Sequence, residues 1–176
     1  MNRRIIASLA IASCTIWSLV ASAETEKKKE EASSPALAKF ADLAGEWVGK
    51  GTHGDAEHES RIVYKVTSGG GAVVETIDPD GDHEMITVIH KDGDSLLLTH
   101  YCMLGNQPQM RAKPKAADKK VAFEFVKATN LKSDKDMYMR SVTYTFVDKD
   151  TLEAEWTHYD DGKEAGKAIF KLKRKK

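Results

Sequence analysis

We predict an all-β fold for this sequence, an antiparallel up-and-down barrel of about ten strands preceded by one short helix. Short runs of alternating apolar and polar residues follow one another from Gly45 to the C-terminus, which is the pattern of half-buried strands. Turn signals such as Gly69-Gly70-Gly71 and Asp161-Gly162 separate these runs at hairpin spacing. No segment has the spacing of a helix that connects parallel strands, so the alternative arrangement is a two-sheet sandwich.

The helix and the strands are predicted in order along the chain. Pro35 suits the first turn of a helix, and the spacing of Leu37, Phe40 and Leu43 predicts a helix over 35–43. The strands are predicted at 46–52, 59–67, 72–78, 84–90, 95–102, 108–113, 120–127, 137–147, 151–159 and 165–173.

Hairpin pairing predicts which side chains face the interior. A three-residue loop before the ninth strand places Tyr144 opposite Ala154 and Arg140 opposite His158. A bulged three-residue loop at Asp161-Gly162-Lys163 adds the last strand to the same face, because a two-residue turn would bring glutamates against apolar positions. The predicted interior comprises Val121, Phe123, Phe125, Tyr144, Phe146, Trp156, Phe170 and Leu172. Such side chains either fill a small barrel or form the walls of a ligand cavity.

Three segments are expected along the chain. Residues 1–23 have a basic start, an apolar run shorter than the roughly 20 residues of a membrane span, and a final Ala21-Ser22-Ala23. They are predicted to be a secretory signal peptide, followed by a flexible charged linker at 24–35 and the barrel domain at 36–176. The protein is therefore expected to be secreted or periplasmic. A lipobox-like sequence that ends at Cys14 is the alternative, and it would leave a lipid anchor there.

The charge balance argues against a nucleic-acid partner, and the cysteine content argues against an internal disulfide. Removing Arg3 and Arg4 with the signal peptide leaves 25 basic and 27 acidic residues, so no field attracts nucleic acid. No membrane span is expected after the signal peptide. Cys102 is the sole cysteine of the mature chain, so an internal disulfide is not expected.

The segment from His83 to Cys102 and the loop after it concentrate polar side chains. A turn at Asp92-Gly93 would pair His83 with Cys102 and bring His100 to the same face. Two imidazoles and a thiol at that spacing suit zinc or copper, and a Cys–His pair suits nucleophilic catalysis. Structural roles explain the same residues, and the sequence itself requires no cofactor.

A second set of candidates concerns ligand binding. Glu75 is expected to pair with Tyr64 on an otherwise apolar face, where a carboxylate needs a partner such as Tyr64, Arg111 or Arg140. Amide side chains after the hairpin are able to cap a barrel mouth or to form a turn. The candidate ligand-binding residues are Glu75, His100, Tyr101, Asn106, Gln107, Arg111, Arg140 and Trp156.

The opening strand carries a family resemblance. Gly45-Glu46-Trp47-Val48-Gly49-Lys50-Gly51 matches G-x-W-x-G-x-G and resembles the first strand of lipocalin-like (calycin-type) barrels. The chain also resembles uncharacterised secreted bacterial proteins that share this opening and later short motifs. Those motifs are V-V-E ending at Glu75, H-E-M at 83–85, L-T-H-Y-C at 98–102 and N-Q-P at 106–108. The resemblance implies a lipocalin-like barrel and no particular activity.

The opening is also similar to that of nitrobindin-type haem barrels. Those barrels take their iron ligand from a histidine on the closing strand. The corresponding segment, 167–173, contains no histidine, and His158 lies one strand earlier. Haem is therefore not expected.

Three functions remain open from the sequence. The preferred one is a secreted or periplasmic barrel that binds a small, largely apolar ligand in its interior without catalysis. The first alternative is a metal-binding or hydrolytic enzyme that uses His83, His100 and Cys102. The second alternative is a non-catalytic envelope protein whose linker and basic C-terminal tail contact a partner.

Overall fold

The computed structural model describes residues 35–176, so the predicted signal peptide and nearly all of the predicted linker lie outside the described residues. One helix, α1 (Pro35–Ala41), precedes ten strands. The strands are β1 (Gly45–His53), β2 (Ala56–Thr67), β3 (Ala72–Ile77), β4 (Met85–Asp92), β5 (Ser95–Tyr101), β6 (Gln107–Ala112), β7 (Lys120–Thr129), β8 (Tyr138–Asp148), β9 (Thr151–Asp160) and β10 (Lys163–Arg174). Each strand pairs with its sequence neighbours, and β1 pairs with β10, so the barrel is closed. The predicted up-and-down barrel is confirmed, and the sandwich is excluded.

Barrel closure depends on close contact between β1 and β10. Their register runs from Trp47 opposite Arg174 to His53 opposite Ala168. A Cβ at Gly49 would collide with the backbone oxygen of Lys171, so only glycine lets the two strands approach this closely. This glycine belongs to the opening motif of the sequence, and its role is structural.

Helix α1 closes one end of the barrel. Its Leu37 and Phe40 are fully buried. The Phe40 ring meets the rings of Phe123, Tyr144 and Phe146 edge-on, at centroid distances of 5.8, 5.2 and 5.3 Å. Edge-to-face contacts at these distances add about 0.5–1.5 kcal/mol each beyond burial. The helix therefore fills the barrel end beside the first residues of β1.

Trp47 connects this closed end to the last strand. Its indole Nε1 donates a hydrogen bond to the Leu43 carbonyl at 2.7 Å. The Arg174 guanidinium lies 4.4 Å from the Trp47 ring centroid and donates to the carbonyls of Ala44 and Asp42. Arg174 thus holds the helix-to-β1 turn and the tryptophan together. The basic C-terminal tail is to this extent part of the closure.

The predicted interior is largely confirmed. Tyr144 faces Ala154, and Phe170 continues the same row from β10. The last hairpin reaches this register through a two-residue turn followed by a bulge between Glu164 and Gly166, rather than through a three-residue loop. Phe125 and Phe146, of the predicted interior residues, are only half-buried.

Two predicted registers are wrong. The turn between β4 and β5 is Gly93-Asp94, so Thr87 lies opposite His100 and the pairing is shifted by two residues. Asp92 stays in β4, where its carboxylate contacts Arg111 at 2.7 Å, and Gly93 takes a φ of 58° that suits glycine. The inward face is unchanged, because a shift of two preserves the alternation.

The second error concerns β8. A bulge between Met139 and Ser141 places Met139 opposite His158, where Arg140 was expected. The Arg140 guanidinium lies over the rings of Phe125 and Tyr159 instead. The extra residue redirects one methionine into the barrel and removes one arginine from it.

Among residues 35–176, no helix has the length and hydropathy that a membrane crossing requires.

Replacing Trp47 by Ala should lower the free energy of unfolding by about 3 to 5 kcal/mol, because a buried indole and its contacts with the closing strand are lost. Urea unfolding of the two proteins measures the difference. Val48→Ala is the matched control, since the Val48 side chain is 38% exposed on the other face of the same strand. A loss no larger than that of the control would contradict the role given to Trp47.

Candidate functional site

A cavity of about 410 Å³ opens at the end of the barrel opposite α1. It lies between the end of β1, the start of β2 and the loops that connect β3 to β4, β5 to β6 and β7 to β8. Its apolar lining consists of Ile77, Met85, Cys102, Met103, Leu104, Met137, Met139, Ala168 and Phe170. The flexible thioether side chains dominate this lining, so the wall is able to adapt to an occupant.

Polar side chains occupy the rest of the lining. Four of the chain's six histidines are among them, which makes imidazole the characteristic polar group of the cavity. His158 is buried, whereas His53, His58 and His83 are exposed at the mouth. The other polar lining residues are Glu59, Ser60, Arg61 and Asp78. Arg61 is already engaged, because its guanidinium contacts Glu46 at 2.9 Å and Asp80 at 3.6 Å.

Two glycines make room for two of these imidazoles. A Cβ at Gly51 would lie 2.6 Å from Nε2 of His58, and a Cβ at Gly166 would lie 2.8 Å from Cε1 of His158. Each histidine therefore lies over a glycine of the neighbouring strand. The two glycines thus hold space for aromatic rings inside the barrel wall.

A buried polar row lies directly beneath the cavity. Tyr64, Glu75, Thr87 and His100 stand opposite one another on β2, β3, β4 and β5, one inward position below Ile77, Met85 and Cys102.

The hydrogen bonds of this row cross the barrel. The hydroxyls of Tyr64 and Tyr144 donate to the same carboxylate oxygen of Glu75 at 2.6 and 3.0 Å. The Thr87 hydroxyl lies 2.9 Å from Nδ1 of His100. Because Tyr144 belongs to β8, the row joins opposite walls of the barrel.

Burial shifts the pKa values of the titratable groups in this row. It raises the pKa of Glu75, although hydrogen bonds from Tyr64, Thr87 and Tyr144 act in the opposite direction. Burial and the neighbouring Glu75 raise the pKa of both tyrosines well above the usual value. Burial lowers the pKa of His100 to about 4, so its imidazole is neutral at physiological pH.

The predicted site residues divide into three groups. His83 and Cys102 line the cavity. Glu75, His100 and Trp156 lie in the core beneath it, with the rings of His100 and Trp156 at a centroid distance of 4.6 Å. These three support the cavity from below and do not line it.

The remaining predicted ligand-binding residues have other roles. Asn106 donates to the Met137 carbonyl at 2.9 Å, which ties the β5–β6 loop to the start of β8, and Gln107 bonds to Gly105 within that loop. Tyr101 is 51% exposed outside the cavity.

Arg111 is engaged with Asp92, and Arg140 donates to the Tyr138 hydroxyl at 2.9 Å. Neither arginine lines the cavity.

The predicted metal ligands are not brought together. His83 is exposed before β4, His100 bonds to Thr87, and Cys102 lies on the cavity wall. Within residues 35–176, no three or more His, Cys, Asp or Glu side chains are grouped so that they could hold a metal ion. Burial raises the pKa of the Cys102 thiol, which disfavours the thiolate that either metal binding or nucleophilic attack needs.

The site contains residues that were not singled out from the sequence. His53 and His58 flank the Gly54-Asp55 turn, and an inward orientation of both follows from the β1–β2 register. Gly54, which takes a φ of 59°, is a turn residue that indicates this hairpin in the sequence. The four methionines carry no such signal, because they reach the cavity from three separate segments.

Comparisons with known proteins support the fold. No protein-family profile and no curated protein sequence matches this chain. Rv2717c from M. tuberculosis has a similar solved structure, with a TM-score of 0.61 and 15% identity over 81% of this chain and 99% of that one. A protein of unknown function in the DUF3598 family from Nostoc punctiforme has a TM-score of 0.54 and 14% identity, over 77% of this chain and 48% of its own. The molecule thus belongs structurally with closed antiparallel barrels, and these likenesses concern the fold alone.

His100 should make the protein less stable in acid. Its folded-state pKa of about 4 lies below the unfolded value of 6.5, so the stabilisation is complete above pH 6.5 and is lost as the pH falls towards 4. Over this range the loss should approach about 3 kcal/mol, since only the unfolded chain takes up the proton. Urea unfolding at several pH values, compared with His100→Gln, isolates this slope. His90→Gln, on the outer face, should keep it, and an equal slope in the His100 variant would refute the assignment.

Proposed function

We propose that this protein binds a small, largely apolar molecule in the cavity at the open end of its barrel. The observation that carries the proposal is the cavity itself, whose volume of about 410 Å³ is lined mainly by apolar side chains. Ligand sites in proteins have this size and this character, with a few polar groups that fix orientation.

The mouth of the cavity supports the same function. Met103, Leu104 and Met137 are 59%, 47% and 38% exposed around the opening. Exposed apolar side chains continuous with an apolar interior let a poorly soluble molecule enter without losing contact with apolar surface. The hydrogen bond from Asn106 to Met137 holds the two rim segments side by side.

The histidines at the mouth supply the polar recognition. Burial and the neighbouring His53 lower the pKa of His158, so its ring is neutral and able either to donate or to accept. A ligand with an apolar body and one hydrogen-bonding end fits this arrangement. The raised pKa of Cys102 supports binding without covalent catalysis.

We also propose that the protein is exported, and that it belongs to the secreted lipocalin-like (calycin-type) barrels that its opening motif resembles. The support is the three-part pattern of residues 1–23 and the charged stretch that follows, together with the Gly45–Gly51 motif at the start of β1.

The neutral probe N-phenyl-1-naphthylamine tests the binding proposal. Its fluorescence should rise with saturation on mixing with the protein, and Ala168→Phe should weaken binding because the new ring fills the cavity. The expected loss is about tenfold, since about 60 Å² of lost apolar contact at roughly 25 cal/mol per Å² corresponds to one power of ten.

Ala165→Phe is the matched control for this measurement, because Ala165 is exposed on the same strand. It should leave the probe affinity unchanged. Probe binding that is absent from the wild type, or that is equal in both variants, would refute the proposed function.

Export is tested by the N-terminus of the mature protein. Protein expressed from the full sequence in a bacterial host should appear in the periplasm or medium, with Glu24 as its first residue. Intact mass and N-terminal sequencing measure this directly. A chain that retains residues 1–23 in the cytoplasm would overturn the proposal, and a lipid-modified Cys14 would replace it with the anchored form.

A further inference from the structure

Two histidines face each other on the cavity wall. His53 lies at the end of β1 opposite Ala168, and His158 lies on β9 one position beyond Trp156, the residue that pairs with Ala168. Their ring centroids are 5.2 Å apart, and the rings are inclined by 47°. The rings are neither stacked nor perpendicular, so they meet at an intermediate angle.

This separation is that of two imidazoles on one metal ion. Metal–nitrogen bonds of about 2.0–2.1 Å at a tetrahedral angle place the two ring centroids about 5 Å apart. The rings need not be parallel, because each bond lies along its own lone pair.

A third donor stands beside His158. Met139 is directly opposite His158 across the β8–β9 pair, and both side chains line the cavity. Directly opposed residues have Cβ atoms about 4.5–5.5 Å apart, within reach of a flexible thioether. The bulge between Met139 and Ser141 creates this pairing. Among the described residues, no third His, Cys, Asp or Glu side chain groups with this pair, and Met139 is the residue that strand pairing places beside His158.

His158 is prepared to act as a ligand. The residue is only 7% exposed, and its Nδ1 has no hydrogen-bond partner among residues 35–176. A buried ring nitrogen without a partner is unusual and calls for an explanation. Gly166 provides the space in which the ring sits.

We propose that His53, His158 and Met139 form a binding site for monovalent copper. A thioether is a soft ligand that favours Cu(I), whereas two imidazoles alone would suit zinc or divalent copper equally well. The site occupies one wall of the cavity. Copper binding at this wall does not require a bound apolar molecule.

Anaerobic titration with Cu(I), in competition with the chromogenic chelator bicinchoninate, tests the site. The wild type should bind one equivalent. His158→Gln and Met139→Leu should each weaken binding about tenfold or more, because one of three ligands is lost. His53→Gln should do the same. Because the His53 side chain is exposed, His53→Gln should fold even if His158→Gln does not.

Two matched controls accompany these variants. Met85→Leu removes a methionine from the β4 wall of the same cavity, and His90→Gln removes a histidine from the outer face. Both should retain the copper affinity of the wild type. Absence of stoichiometric Cu(I), an affinity unchanged in Met139→Leu, or tighter binding of Zn(II) than of Cu(I) would overturn the proposal.

The metal-free protein separates this site from the proposed function. N-phenyl-1-naphthylamine should bind to the metal-free wild type. Copper binding without probe binding would leave the metal site standing and refute the apolar ligand. The reverse result would refute the metal site alone.

Discussion

The rest of this structure depends on the pairing of the first strand with the last. β1 and β10 approach closely because Gly49 has no Cβ to collide with the backbone at Lys171. Arg174 then holds the closure by contacting the Trp47 ring and the carbonyls before β1. A closed barrel has no free sheet edges and two distinct ends. Helix α1 fills one end, and the other end is left for a cavity.

The buried polar row divides these two halves of the interior. A carboxyl group in an apolar core is unfavourable unless donors surround it, and Glu75 receives hydrogen bonds from Tyr64 on β2 and Tyr144 on β8. These bonds connect strands that are far apart in the sequence. They therefore favour one arrangement of the interior side chains, in addition to the burial of apolar surface. Below the row the barrel is packed with aromatic and aliphatic side chains. Above it the lining changes to methionine and histidine.

That change in composition distinguishes the cavity from the packed end of the barrel. A packed barrel end needs side chains with defined shapes, whereas the cavity wall carries flexible thioethers and imidazoles. The histidines also require space, and Gly51 and Gly166 supply it at two places on the wall. The same wall lines the apolar pocket and carries His53, His158 and Met139, the residues of the proposed copper site. The residues of the polar row lie beneath the cavity and do not line it.

The sequence by itself determined the strands and, away from β-bulges, the face on which their side chains lie, because alternation along a strand is a local property. It located all ten strands and the Tyr64–Glu75 pair, and it identified Trp156, Tyr144 and Phe170 as interior. Only the tertiary structure decided the register of β4 against β5, since a shift of two residues preserves that alternation.

The tertiary structure alone also assembled the cavity. His53 comes from β1, whereas Met139 and His158 come from the β8–β9 hairpin, and a bulge in β8 determines that Met139, rather than Arg140, faces His158. Such convergence depends on barrel closure and on local irregularities in pairing. Both arise from contacts between residues far apart in the chain, so no local pattern encodes them.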